Sequence, residues 1–184
     1  MIRAATPADA DQVAPLFLLA MGHIAGIFAN SDRYEDAIPF FKQFFRATNN
    51  QYSYENTLVL EEETQIVGSV TGYDGARLHA LREPILHQIR KTHPDFTVDD
   101  EAEAGEYYLD CINVHTEHQG KGIGRKLLVA FCERAHQLKY SRLGLIVDDE
   151  NPRAKLFYEK EGFRALGMKP FMGHRYFHMV KDLD

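Results

Sequence analysis

Two hydrophobic periods alternate along this chain, one of about 3.6 residues and one of two, and their succession predicts a mixed α/β architecture. Residues 2–5 form a short β-rich run. Thr6 then offers a hydroxyl cap, Pro7 a first helical position and Asp9 an acid in the first turn. Val13, Leu16, Phe17, Ala20, Met21 and Ile24 recur at helical spacing, so one helix with a single buried stripe is expected. Ala37, Ile38, Phe41, Phe44, Phe45 and Thr48 repeat the pattern in a second helix, whose Phe stripe reads first as core, with part of it available to line a pocket. Residues 57–60 and 65–71 are β-rich and joined by a charged turn at 61–64, a hairpin. Residues 74–105 change character. Leu78, Leu81, Ile85 and Ile89 suggest a helix that Pro84 interrupts or restarts, and Asp99, Asp100, Glu101 and Glu103 form an acidic run. This segment reads as an insertion ahead of a long, mostly apolar strand at 106–114. A helix follows from Gly120 with Ile123, Leu127, Leu128, Phe131, Ala135 and Leu138 on one face. A strand at 143–147, a helix from Asn151 and Pro152 to about Glu161, and strands at 163–166 and 174–180 complete the order βααββ, insertion, βαβαββ.

Composition narrows the function classes. At 184 residues, 45% hydrophobic and 26% charged, the chain is expected to form one domain over residues 1–184 with a sizeable core. Lys and Arg number 21 against 27 Asp and Glu, and a net charge of -6 argues against a nucleic-acid or anionic-membrane partner, since both need surplus cations. A cationic acceptor fits better. No apolar run approaches the ~20 residues of a membrane span, and the first residues lack the apolar core of a signal peptide, so a soluble, cytoplasmic protein is expected. Cys111 and Cys132 make neither a disulfide framework nor a metal pair and read as buried thiols. Nine histidines do not fall at HExxH or Cys/His spacing; the pairs His115 with His118 and His174 with His178 read as surface or hydrogen-bonded groups, and no metal is assigned.

The chemistry concentrates in Gln119, Gly120, Lys121, Gly122, Ile123, Gly124 and Arg125, set between a strand and an amphipathic helix. Glycines there turn the backbone tightly, leave its N–H groups uncovered and aim them, with the helix dipole, at an anion such as a pyrophosphate. The spacing of a Walker A loop is absent. A dinucleotide fingerprint would use Gly120 and Gly122 but would put Arg125 at its third small position, with no further β-α units after residue 147 to complete the site. A plain structural turn stays open on this loop alone.

A second segment, Asn151 to Phe163, decides among them. Together the two segments resemble the GNAT superfamily of acetyl-CoA-dependent N-acetyltransferases, with Gln119, Gly122 and Gly124 as the acyl-CoA pyrophosphate loop and the Asn151 segment as a second CoA-contacting element. The resemblance is good over residues 106–166. It implies a GNAT fold, a mixed and mostly antiparallel central sheet flanked by helices, here with a helical insertion before the long central strand. It further implies that Ile112, Asn113 and Val114 pair with the pantetheine arm, that the Val114 N–H polarises the acetyl carbonyl, and that Tyr158 protonates the leaving thiolate. Residues 119–125 and Asn151 would hold the CoA, although Asn151 equally reads as a helix cap, Lys121 and Arg125 as a solvated basic helix start, and Tyr158 as a buried aromatic. Family members carry a carboxylate or His on the strand before the glycine loop. Asp110 stands there, four residues before Val114 and, at period two, on its face; it is either the general base or an Asp hydrogen-bonded to a neighbouring strand, with Glu106 and Tyr108 as reserves and a water relay as a further route.

The activity implied is transfer of acetyl from acetyl-CoA to a primary amine by direct attack in a ternary complex. A non-catalytic acyl-CoA sensor or interaction module is the alternative, which needs neither Tyr158 nor Asp110. The acceptor can be a polyamine, aminoglycoside, amino acid, peptide N-terminus or lysine side chain. The insertion is expected to border the acceptor side of the cleft with Phe41, Phe44 and Phe45 and to attract a cation through its acids, or else to cover a sheet edge or form a homodimer contact.

Overall fold

The computed structural model describes every residue except 22, 23, 32 and 184, and the backbone alone of 28 and 29. Seven strands, β1 (Ile2–Ala4), β2 (Thr57–Glu62), β3 (Gln65–Asp74), β4 (Tyr107–Val114), β5 (Arg142–Asp148), β6 (Arg164–Phe171) and β7 (His174–Asp182), form one sheet in the order β1-β2-β3-β4-β5-β7-β6. Every neighbouring pair is antiparallel except β4 with β5. Among the described residues no helix is long and apolar enough to cross a membrane.

The helices are α1 (Ala10–Met21), α2 (Ile24–Ala29), α3 (Ile38–Arg46), α4 (Leu78–Ile89), α5 (Ile123–Gln137) and α6 (Pro152–Lys160). Ile24 opens a helix of its own instead of ending the first, which corrects the single predicted helix; residues 22 and 23 lie outside the described residues. The start of the chain is locked by charge. Thr6 N–H donates to Asp9 at 2.7 Å, Arg3 forks onto the same carboxylate with two bonds of 2.8 Å, and the guanidinium holds the Asp9 carboxyl below its usual range.

Each sheet face carries a core. On one, Phe17 of α1 meets Phe41, Phe45 and Tyr52 with ring centroids 5.5, 6.2 and 5.6 Å apart, and Val59, Ile66 and Cys111 floor the cluster. The Phe stripe of α3 is therefore core alone. On the other face Leu127, Leu128, Phe131 and Ala135 of α5 pack on Val67, Val70, Leu143, Leu145 and Met179. The insertion joins the first face, where Ile85 and Ile89 of α4 extend the Phe17 cluster, while Leu78 and Leu81 close over Tyr73 and Tyr108. Pro84 neither interrupts nor restarts α4. It and Ala80, whose carbonyl loses its helical donor, are both exposed, so water can satisfy that carbonyl and the helix runs on.

One irregularity shapes the centre of the sheet. Thr71 pairs with Cys111 but Gly72 pairs with Leu109, so Asp110 is the extra residue of a β-bulge. Gly72 has no space for a side chain: a Cβ would lie 2.3 Å from both the Tyr108 carbonyl oxygen and the Phe131 ring. Gly72→Ala should overpack this point and cost about 1 to 3 kcal/mol, a fall of roughly 3 to 10 °C in Tm for a chain this long, read by calorimetry. An unchanged Tm would show that the bulge can shift to make room.

Candidate active site

β4 and β5 are partners only at their beginnings. Their register holds for Tyr107 with Leu143 and Tyr108 with Gly144, and then the ladder stops, at the bulge. Bulges increase strand twist, and here the two strands part into a wedge. On its far side β4 keeps its pairing to β3 as far as Val114, and His115 N–H donates to the Val67 carbonyl at 2.9 Å. Backbone groups alternate along a strand, so Ile112 and Val114 turn their N–H groups away from β3, into the wedge. These are two strand donors with no ladder partner, the arrangement an extended amide-bearing arm or an acyl oxygen can use.

The bulge also re-aims side chains. By simple alternation Asp110 and Val114 would share a face; the extra residue breaks that alternation. Ile112 and Val114 pack toward α5, whereas Asp110 sits with Tyr108 and Cys111 on the opposite face, around a cavity of about 170 Å³. The expected orientation of Asp110 is thus corrected: it stands across the strand from Val114, at the base of the wedge. Tyr73 on β3 donates to Asp110 Oδ1 at 3.4 Å, while Oδ2 is out of reach of solvent and accepts no hydrogen bond among the described residues. Burial pushes this carboxyl up from 3.8 to about 6, with the Tyr73 hydrogen bond, the Cys111 thiol and the Arg82 charge pulling the other way. A carboxyl so placed can exchange a proton near neutral pH.

Glu106 and Tyr108 do not serve as reserves. Glu106 is buried against Gly144 and shares both oxygens with His178 Nε2 at 3.1 Å. The Tyr108 ring packs on Tyr73, and burial lifts its hydroxyl well above the usual range. Glu103, Glu106 and His178 bring ligand atoms close together, yet the Lys169 ammonium 2.6 Å from Glu103 puts a cation in that cluster already.

Tyr158 is buried at the inner side of α6, its ring edge-on to Phe157 and Phe163 at 5.1 and 5.5 Å. Burial raises its hydroxyl above the ordinary tyrosine range, with the Cys111 thiol of β4 adding to the effect, so it stays protonated and within electrostatic reach of the strand that carries Asp110.

At the wedge's open end the chain forms a single turn, Thr116–His118, and then the glycine loop. Gly120 and Gly122 both have φ of 77°, left-handed values that favour glycine, and a Cβ at either would meet no protein atom within 4 Å. Their need is conformational, not steric. The first amide α5 uses is Lys126, which donates to the Gly122 carbonyl at 3.1 Å, leaving the N–H groups of Ile123, Gly124 and Arg125 as the orphan donors of the first turn. Gln119 fixes the loop to the strand, its Nε2 donating to the Val114 carbonyl at 3.2 Å. Lys121 is exposed, and Arg125, also exposed, is paired with Glu161 at 3.0 Å. Asn151 caps α6, accepting the Ala154 N–H at 3.0 Å. Asn113 is buried and directs Nδ2 at the Cys111 sulfur, 3.4 Å away, so of the strand's three candidates its side chain is structural.

The acidic run is not a free field of charge. Arg82 of α4 is buried and binds Glu101 directly, Asp100 at 3.1 Å and the Asp99 carbonyl at 3.2 Å; Glu103 holds Lys169. Gln51 ties this network to the site, donating to Tyr73 Oη at 2.7 Å and to Glu101 at 2.9 Å. Arg82, Tyr73 and Gln51 were missed in the sequence, and Glu101 was read only as part of the acidic run. One signal was there: Arg82 interrupts the apolar stripe of Leu78, Leu81, Ile85 and Ile89, and a buried guanidinium requires the acids that follow it.

A seven-stranded, mostly antiparallel sheet, parted between two parallel neighbours with a glycine loop and helix at the mouth, defines an acyl-CoA-dependent transferase fold. The family described as "Acetyltransferase (GNAT) family" matches over residues 24–163, and the chain belongs to it. The family is one of acetyltransferases. A solved acetyltransferase is 30% identical, with each chain covered over 100% and a TM-score of 0.82. An N-acetyltransferase from Staphylococcus aureus Mu50 superposes with a TM-score of 0.86 at 23% identity, covering 98% of this chain and 99% of that one, a likeness of fold. The "Spermine/spermidine N(1)-acetyltransferase" of Bacillus subtilis (strain 168) is 33% identical over 86 residues, 46% of this chain and 55% of that protein. The chain thus spans about half the length of the curated relatives it matches.

Proposed function

We propose that the chain transfers acetyl from acetyl-CoA to a primary amine by direct attack within a ternary complex. The observation that carries this is the placement of Asp110: a half-buried carboxyl whose Oδ2 is out of reach of solvent and unpartnered, raised to about 6, at the base of the wedge beneath the Ile112 and Val114 amides. An amine arrives as a cation and cannot attack until it loses a proton. Asp110 takes that proton. Val114 N–H stabilises the oxyanion that forms when the amine nitrogen bonds to the acyl carbon; one such donor is worth about 3 to 4 kcal/mol elsewhere. When the carbon–sulfur bond breaks, Tyr158 gives its hydroxyl proton to the thiolate, and the extra proton still on the acylated nitrogen is lost as the amide forms and restores the tyrosine hydroxyl. The orphan amides of Ile123, Gly124 and Arg125, with those of the glycine loop, hold the pyrophosphate of CoA. Lys121 adds charge there; Arg125 contributes its backbone first, because its side chain is engaged by Glu161.

Incubation of the protein with acetyl-CoA and a panel of primary amines should release free thiol in step with an N-acetylated amine seen by mass spectrometry. Tight binding of acetyl-CoA with no N-acetyl product from any amine would replace the enzyme with a sensor. The cofactor loop has its own test. Gly122→Glu sets a carboxylate where the phosphates are to lie and should weaken CoA binding by at least about 100-fold in calorimetry, given that an anion site is turned against its ligand. Gly122→Asn, which tolerates the left-handed φ, should keep most of the affinity. Equal CoA affinity in Gly122→Glu would remove the loop from the binding site.

A further inference from the structure

The cavity beside Asp110 has more to say about the acceptor than its sign of charge. Three ionised side chains line it among the described residues: Arg82, Glu101 and Asp110. Arg82 and Glu101 cancel each other, and Glu101 also accepts from Gln51. Asp110 is left as the one carboxylate in the wall without a cation bound to it. Apart from Gln51, whose amide is engaged by Tyr73 and Glu101, the rest of the wall is mostly apolar or aromatic: Met21 of α1, Ile24 of α2, Ile85, Leu86 and Ile89 of α4, then Phe96 and Val98. Its outer side is the β6–β7 turn. Phe171 stands edge-on to Tyr176 at 5.6 Å, and Met172 adjoins them with φ of 50°. Left-handed backbone costs a non-glycine residue about 1 to 2 kcal/mol. A turn that accepts this cost at a methionine, with Gly173 beside it, gains an adaptable thioether in the cavity wall.

We infer that the acceptor is a small monoamine, a single ammonium on an alkyl or arylalkyl body, and not a linear polyamine. This rests on the N-acetyltransferase reading above and names its substrate class. The cavity can balance one cation, at Asp110. A second or third ammonium, carried a few methylenes further, would lie against Leu86, Ile89, Phe96 or Met172, where its loss of hydration is not compensated. An apolar body of the same length is favoured by that wall. A peptide is disfavoured for a related reason, because its amides would meet the same side chains, which offer them no hydrogen bonds. The relatives named for spermine and spermidine share about half their length with this chain, so the cavity wall decides the matter here.

The test compares hexylamine, phenethylamine, hexamethylenediamine, spermidine and a tetrapeptide with an apolar first residue, by thiol release from acetyl-CoA with the full chain. Hexylamine and hexamethylenediamine differ only in the second ammonium. The expected result is a kcat/KM for hexylamine at least about 100-fold above that for the diamine, arising mostly in KM. Leu86→Glu, at a half-buried position in the wall, should narrow that ratio at least about tenfold by supplying the missing carboxylate, and Leu86→Gln should leave it unchanged. A diamine, spermidine or the peptide used as well as hexylamine overturns the inference and leaves the N-acetyltransferase reading standing. Acetyl-CoA bound without turnover of any amine overturns that reading, and the inference with it.

Discussion

Tyr158→Phe should lower kcat by about 10²- to 10⁴-fold, the range typical of a lost general acid. Its KM for acetyl-CoA and its Tm should stay close to those of the parent. The substitution keeps the ring that packs edge-on to Phe157 and Phe163 and removes only the hydroxyl. That hydroxyl is raised above its usual range by burial, so around neutral pH it carries the proton a thiolate needs. A merely structural tyrosine would give another pattern, with Tm falling and kcat little changed. Steady-state kinetics and calorimetry on the same preparation separate the two. Parent-like kcat with a good acceptor would take the acid role away from Tyr158.

Asp110→Asn should produce opposite effects on activity and on stability. The base is lost, so kcat/KM should fall about 100-fold or more, and the limb on which activity drops below about pH 6 should disappear. Stability moves the other way. A carboxyl raised from 3.8 to about 6 is held more tightly as the protonated form in the folded chain than in the unfolded one, so the folded state binds more protons between those values. Unfolding free energy therefore falls as pH rises through that window and stays lower above it. Tyr73, Cys111, Tyr108 and the Arg82–Glu101 pair all face this group, and none supplies a full charge partner to its Oδ2. Two units correspond to roughly 3 kcal/mol. Asp110→Asn should hence be more stable than the parent at pH 8, by on the order of 2 kcal/mol, and nearly equal to it at pH 4. Thermal unfolding at both pH values reads this directly. A variant less stable at pH 8, or a parent enzyme whose activity is flat between pH 5 and 7, would contradict the assignment.

The parts of this molecule that could be read from the sequence are those written locally. Val13, Leu16 and Phe17, or Ile123, Leu127 and Phe131, announce their helices through spacing alone and are buried as expected, whereas Ala20 and Leu138, placed on the same two stripes, are exposed at the helix ends. The glycine loop could be read because Gly120 and Gly122 adopt a backbone that glycine favours, and Asn151 because a cap with proline after it is a two-residue signal. The site's finer geometry is written in pairings between strands. Whether Asp110 faces Val114 depends on one extra residue in a ladder with β3, and the packing that leaves no room beside Gly72 comes from Phe131, 59 positions away. Period-two counting carries no information on that. Likewise the acidic run read as a field for a cation because its partner, Arg82, lies a helix away, and the Phe stripe of α3 could face a pocket or a core until Phe17 and Tyr52 were seen against it. Pro84 misled for a simpler reason. The Ala80 carbonyl it frees is exposed to water, and the helix continues through it.

The account rests on acetyl passing straight from thioester to amine between Asp110 and Tyr158. Initial rates of thiol release, measured over a grid of acetyl-CoA and amine concentrations, test this most directly. Direct transfer in a ternary complex predicts double-reciprocal lines that intersect, with N-acetylamine formed in step with thiol. Parallel lines, the pattern of an acetylated enzyme intermediate, would contradict it.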